Sequence, residues 1–183
     1  MSNIIVVFTG KSLKAMQEDG GSGHWTAKSD RIKDSDYVLM VRNDREKWAD
    51  KVNAEHGQAF MIGKVSGCVL SHKHDDRRII KISEYSLLPD TENFKEAWSK
   101  LTKGQRFPVA YLNDTDLLTK LNLNIKDLVW TNFESLLDNS KSAILKPSID
   151  KTKDLATVIS EAKEMIAHAA GVETDKVDIQ IKF

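Results

Sequence analysis

Residues 18–28 read EDGGSGHWTAK, so three glycines fall within four positions and the chain then runs into His24 and Trp25. Trp25 lies among Gly, His, Thr and Lys rather than on an apolar face. An indole on such a hinged loop can stack on a flat ligand, a contact worth roughly 1–3 kcal/mol for a nucleobase. The alternative is a tryptophan that plugs the end of a barrel. His24 beside it is of the residue type whose pKa, about 6.5 when unperturbed, suits proton transfer at neutral pH. Arg42 and Asn43 close the apolar run YVLMV, which puts their polar heads at a sheet rim. There a guanidinium grips a phosphate or carboxylate through two parallel hydrogen bonds, and an asparagine reads a base edge as donor and acceptor. Equally, Arg42 fits a surface ion pair, and Asn43 the N-cap of a following helix. Lys64 and Ser66 in GKVSG, and Tyr85, are secondary binding candidates.

Other chemistry-bearing patterns fail on spacing. Gly10-Lys11-Ser12 follows an apolar run, but a phosphate-cradling loop needs a further glycine five positions earlier, where the chain has Ile5. His72, His74 and Asp76 fit an HxHxD pattern of metal ligands. The remaining histidines, His24, His56 and His168, form no comparable cluster, and DDRR at 75–78 suits a solvated hairpin tip. No metal and no cofactor is expected. No GxSxG nucleophile elbow occurs, and the single cysteine, Cys68, excludes an internal disulfide and a CxxC pair. Its neighbours Gly67, Val69 and Leu70 read as a strand, with Cys68 as a small buried hydrophobe.

The elements that must position these residues belong to a chain of 183 residues, 40% hydrophobic and 30% charged, values that exclude a disordered or membrane class. The longest apolar runs, IIVVF and YVLMV, fall far short of the ~18 residues of a membrane span, and the N-terminus lacks a signal-peptide pattern; a cytoplasmic protein is expected. Lys and Arg number 27, as do Asp and Glu. Zero net charge excludes tight binding to nucleic acid through phosphates alone, so any such binding must come from a local patch or a base pocket.

IIVVFTG and DYVLMVRN read as buried strands, with SLKAMQE a short helix between them. DREKWADKVNAEHG has helical spacing, which places Trp48 on a core face. AFMIGKVSGCVL and RRIIKISEYSLL predict an antiparallel hairpin, with bulges at Gly63 and Gly67. Residues 91–101 predict a helix capped by Thr91, with Phe94, Ala97, Trp98 and Leu101 inward. Pro108 confines GQRFPVAYL to an edge. Residues 114–137 read as short helices. Near the C-terminus, Leu155, Val158, Ile159, Ala162, Met165, Ile166 and Ala169 mark one helical face that Gly171 ends, and VDIQIKF alternates as a half-buried strand. The spacing predicts an α+β fold: a small, mixed, mostly antiparallel barrel over residues 1–140, a connector at 141–151, and a helix-strand appendage at 152–183.

The order of SGHWTA, YVLMVRN, HGQAFMIGKVSG, RRIIKISEYSLL and GQRFPVAY over about the first 112 residues resembles the PUA-like superfamily, in particular its EVE and ASCH branches. The GxKxxExR pattern of the ASCH branch is not present. The resemblance implies a β-barrel with a pocket for a flipped or single-stranded base, often modified, held by aromatics and read at its edges. Extruding a base costs a few kcal/mol, which stacking and edge hydrogen bonds recover without a basic protein. The expectation is therefore a non-catalytic reader of a modified base in DNA or RNA, with Trp25, His24, Arg42, Asn43, Lys64, Ser66 and Tyr85 at the ligand. Two alternatives stay open. One is an enzyme on a modified nucleoside or RNA, with His24 as general base assisted by Lys64 or Glu84. The other is an interaction module whose C-terminal strand pairs with another subunit, as in a homodimer.

Overall fold

Strict alternation within two apolar runs builds the centre of the protein. In the computed structural model, which describes residues 1–134, 159–160, 162–164, 166–167 and 173–179, the elements in chain order are β1 (Asn3–Thr9), α1 (Leu13–Glu18), β2 (Ser22–Trp25), α2 (Ser29–Lys33), β3 (Tyr37–Arg42), β4 (Ala59–Leu70), β5 (Arg78–Leu87), α3 (Ala97–Thr102), β6 (Val109–Asn113), α4 (Asp114–Leu121) and β7 (Thr131–Asn132). Ile4 and Val6 of β1, with Leu39 and Val41 of β3, face a layer that includes Trp98 and Leu101 of α3 and Leu117 and Leu121 of α4. Ile5, Val7, Val38 and Met40 face the opposite side, where Met16, Trp25, Ile32, Phe60 and Ile80 pack. Both faces of these strands are thus buried, as their near-continuous hydrophobicity requires.

The sheet order is β2-β5-β4-β3-β1-β6, with β7 added on β5. Among the described residues only β1 and β3 run parallel; the other pairs are antiparallel. The result is a strongly curled, mostly antiparallel half-barrel with few short helices. Its curl packs Trp25 of β2 in the same cluster as Val109 and Tyr111 of β6, the other end of the sheet. The β4–β5 hairpin carries register shifts around Gly63 and Gly67, and among the described residues β6 pairs only with β1, in keeping with Pro108 beside it. Among the described residues, no helix is long and apolar enough to cross a membrane.

Three local expectations are corrected. Residues 44–57 form no helix, because their backbone bonds go to strand ends instead: Asn43 N–H donates to Thr9 O, Asp50 N–H to Gly10 O and Gly57 N–H to Arg42 O, each at 2.8–2.9 Å. Trp48 is therefore not a core residue but is 59% exposed. The helix expected from Thr91 starts at Ala97, since Glu96 takes a left-handed φ of 52°; Phe94, Ala97, Trp98 and Leu101 are nevertheless all buried. Cys68 is half-buried, its Sγ 3.2 Å from Ser29 Oγ.

The chain divides into two compact units, Met1–Lys141 and Ser142–Phe183. In the second, the described residues Ile159, Ser160, Ala162–Glu164, Ile166 and Ala167 are helical, and Thr174–Lys176 form a 3-10 turn. Among the described residues, Val177, Asp178 and Ile179 belong to no strand. Leu155, Val158, Met165, Ala169, Gly171, the connector at 141–151 and the end of the expected strand, 180–183, lie outside the described residues.

The glycine run before Trp25 is a packing device rather than a hinge. Gly21 has φ of 152°, and a Cβ there would lie 2.3 Å from the carbonyl oxygen of Ile80 in β5. Gly21→Ala is predicted to destabilise the protein by about 2–4 kcal/mol, combining overpacking with backbone strain. Equilibrium denaturation in urea measures this; a loss below about 0.5 kcal/mol would contradict the packing described.

Candidate functional site

A cavity of about 1000 Å³ opens where the curl brings the two ends of the sheet together. Its walls come from β1 and the loop after it (Phe8, Thr9, Lys11), from β2 (Gly23, His24, Trp25), from the 43–57 segment (Asn43, Glu46, Trp48), from the β4–β5 turn (Lys73, His74, Arg77) and from the approach to β6 and β6 itself (Phe107, Val109, Tyr111). Phe107 and Trp48 are exposed, at 77% and 59%, and Trp25 only 8%. The indole of Trp25 is fixed, its Nε1–H donating to Ser22 Oγ at 3.1 Å. Trp25 therefore forms a rigid wall, while Trp48 and Phe107 offer the open aromatic surface.

Arg42 is buried rather than at the rim, which corrects the expectation drawn from its place at a strand end. The loop that follows folds back over it, and the guanidinium donates to the carbonyls of Gly10, at 2.8 Å, and Asp50. Asp50 in turn accepts from the backbone N–H and hydroxyl of Ser12 at 2.8 and 2.9 Å. This clamp seats the 43–57 segment on the loop after β1; a Cβ on Gly10 would stand only 3.0 Å from the Trp48 ring. Arg42 thus positions the Trp48 wall and contacts no ligand space. Asn43 does line the cavity, and its side chain accepts from Arg45 N–H at 3.2 Å, closing a turn rather than capping a helix.

Lys64, Ser66 and Tyr85 line no part of the cavity. Lys64 pairs with Glu84 at 2.5 Å and lies 4.7 Å from the centre of the Trp130 ring, which stacks on Tyr37. Ser66 is exposed on β4, and Tyr85 meets the edge of Phe133. The Lys64–Glu84 pair is therefore not placed beside His24, as assistance in catalysis would need.

Beside the cavity sits a charged cluster that spacing in the sequence did not reveal. Asp19, at the C-terminal end of α1, is 6% exposed, and its carboxylate accepts from Lys11 and, at 2.7 Å, from Lys73. His24 Nε2 stands 3.5 Å and His72 Nε2 3.6 Å from the same carboxylate. Burial alone would raise the Asp19 pKa, but the hydrogen bonds and charges of Lys11 and Lys73 bring it down to about 2. Burial, then the charge of Lys11, lowers His24 to about 4, against the opposing pull of Asp19. His24 is therefore neutral at pH 7.

Ser71 assigns its tautomer. The Ser71 oxygen accepts from the backbone N–H groups of Lys73 and His74, both at 3.0 Å, which occupies its two lone pairs. Its own proton is left for His24 Nδ1, 2.6 Å away, so the ring hydrogen resides on Nε2. That Nε2 is buried without a hydrogen-bond partner; Arg42 Nε is the other such side-chain atom among the described residues. The HxHxD pattern does not assemble: His72 joins Asp19 and His24, whose ligand atoms with its own lie within 4.8 Å of one another, and Asp76 does not. The signals missed were Lys11, read only as part of a failed phosphate loop, and Asp19, hidden in a glycine-rich stretch.

No family model, curated protein or solved structure matches the chain.

The cluster sets an acid limit on stability. An unfolded chain protonates His24 near pH 6.5, whereas the folded protein, with Lys11, Asp19, Lys73 and His72 facing that ring, does so only near 4. The unfolded state therefore binds more protons across this interval, and stability falls as pH drops through it; Asp19 adds a second loss from 3.8 towards 2. Between pH 7 and pH 5 the His24 contribution amounts to about 2 kcal/mol. Unfolding free energies at the two pH values, compared between wild type and His24→Gln, measure it. The variant should lose most of the pH dependence, and an unchanged difference would contradict the assignment.

Proposed function

We propose that the protein is a non-catalytic nucleic-acid-binding module that takes a flipped or single-stranded base, in particular a modified one in DNA or RNA, into this cavity. The observation that carries the reading is the pairing of open aromatic surface with local positive charge on one cavity: Trp48 and Phe107 stand exposed, Trp25 backs them, and Lys11, Lys73 and Arg77 line the same space. Stacking on an indole or phenyl ring suits any base, and a cavity that stacks it and bonds its edges recovers the cost of extrusion. Asn43 at the wall offers donor and acceptor groups to a base edge. Zero net charge is compatible with this reading, because stacking and a few local cations supply the affinity. The curled half-barrel and the order of the sequence stretches favour a PUA-like domain as the scaffold.

Trp48→Ala and Phe107→Ala test the reading, since both side chains are exposed and their loss leaves the core intact. Each should weaken binding of oligonucleotides carrying the preferred modified base by roughly 5- to 100-fold, the range for one stacked base. Fluorescence anisotropy across a panel of modified oligonucleotides measures this. Binding that survives both substitutions unchanged would remove the cavity from the binding site.

A further inference from the structure

We propose that the cavity also carries a phosphate subsite, in which Lys11, Lys73 and Arg77, joined by the Nε2–H of His24, hold the phosphate of the nucleotide whose base meets the aromatic walls; this rests on the base-binding reading above. Lys11 and Lys73 are fixed on different oxygens of the one Asp19 carboxylate, so their ammonium groups stand a few ångströms apart on the cavity wall. An ammonium group has three N–H donors. With one directed at Asp19, each lysine keeps donors for a ligand. Arg77, exposed on the same wall, adds a planar fork suited to phosphate oxygens.

Two observations select an anion over a metal ion. The first is charge. Three cations, Lys11, Lys73 and Arg77, face two carboxylates, Asp19 and Glu46, leaving the site at +1. A divalent cation would take it to +3, whereas a phosphate monoester, at about −2, brings it near −1. The second is the proton on His24. Asp19, His24 and His72 hold ligand atoms within 4.8 Å, close enough for a metal. The Ser71 hydroxyl, however, donates to Nδ1 and leaves hydrogen on Nε2, so the atom aimed at the cluster is a donor that forms no hydrogen bond, 3.5 Å from the Asp19 carboxylate. A phosphate oxygen satisfies that donor; a metal requires the other tautomer and the loss of the Ser71 arrangement. A ligand reaches the buried Nε2–H by displacing the exposed side chain of His72.

Calorimetric titration tests this with adenosine, cytidine, their N6-methyl and 5-methyl forms, the matching 5′-monophosphates, and inorganic phosphate. Each monophosphate should bind at least about tenfold tighter than its nucleoside at low salt, with the gap narrowing as salt is added. The gap should fall below about threefold in Lys73→Met and in Arg77→Gln. Both side chains are exposed, and if Lys73→Met does not fold, Arg77→Gln carries the comparison. A 5′-phosphorylated oligonucleotide that outbinds its 5′-hydroxyl twin supports the subsite and places the phosphate at a chain end. Equal affinity for nucleosides and monophosphates overturns the subsite and leaves the base reading standing. Monophosphates that bind no better than inorganic phosphate overturn the base reading. Stoichiometric uptake of Zn²⁺ that is lost in His72→Ala overturns the subsite in favour of a metal centre.

Discussion

The architecture of the site depends on one buried carboxylate. Asp19 would be expelled or neutralised if it were alone in its 6%-exposed position, because removing a charge from water costs several kcal/mol unless partners compensate. Lys11, from the loop after β1, and Lys73, from the β4–β5 turn, supply that compensation. The same group brings His24 of β2 and His72 within 3.6 Å. Segments distant in sequence are thus held by one charge, and the two ammonium groups that stabilise it are held in return on the wall of the cavity. A neutral protein obtains a locally positive surface in this way without any basic run.

A second buried ion does comparable work with neutral partners. The Arg42 guanidinium ends on backbone carbonyls of Gly10 and Asp50, tying the irregular 43–57 segment across the end of β3 and so setting Trp48 at the cavity mouth. The curl of the sheet completes the enclosure by bringing Trp25 of β2 towards Val109 and Tyr111 of β6. Rigid strands thus carry the back wall, and the clamped loop carries the exposed aromatic face.

What could be read from the sequence was what local pattern determines. IIVVF and YVLMV alternate to two buried faces, the glycines of AFMIGKVSGCVL mark the irregular register of β4, and Pro108 borders an edge strand. The site was legible only in part. His24, Trp25 and Asn43 line the cavity, but Arg42, polar at the end of an apolar strand, turned inward because a later segment covers it. Residues 44–57 have helical spacing, yet backbone bonds to strand ends override that preference and leave Trp48 outside. Lys73 reaches Asp19 from the β4–β5 turn, 54 residues along the chain, a contact that no local pattern specifies.

The four tryptophans offer the most direct measurement, since Trp25 and Trp48 line the cavity while Trp98 and Trp130 do not. Their indole N–H resonances, assigned by NMR, can be followed as a single-stranded oligonucleotide carrying a modified base is titrated in. The account predicts that Trp48 shifts most and Trp25 with it, while Trp98 and Trp130 stay in place. Shifts confined to Trp130, beside Lys64, with Trp48 unmoved at saturation, would contradict it.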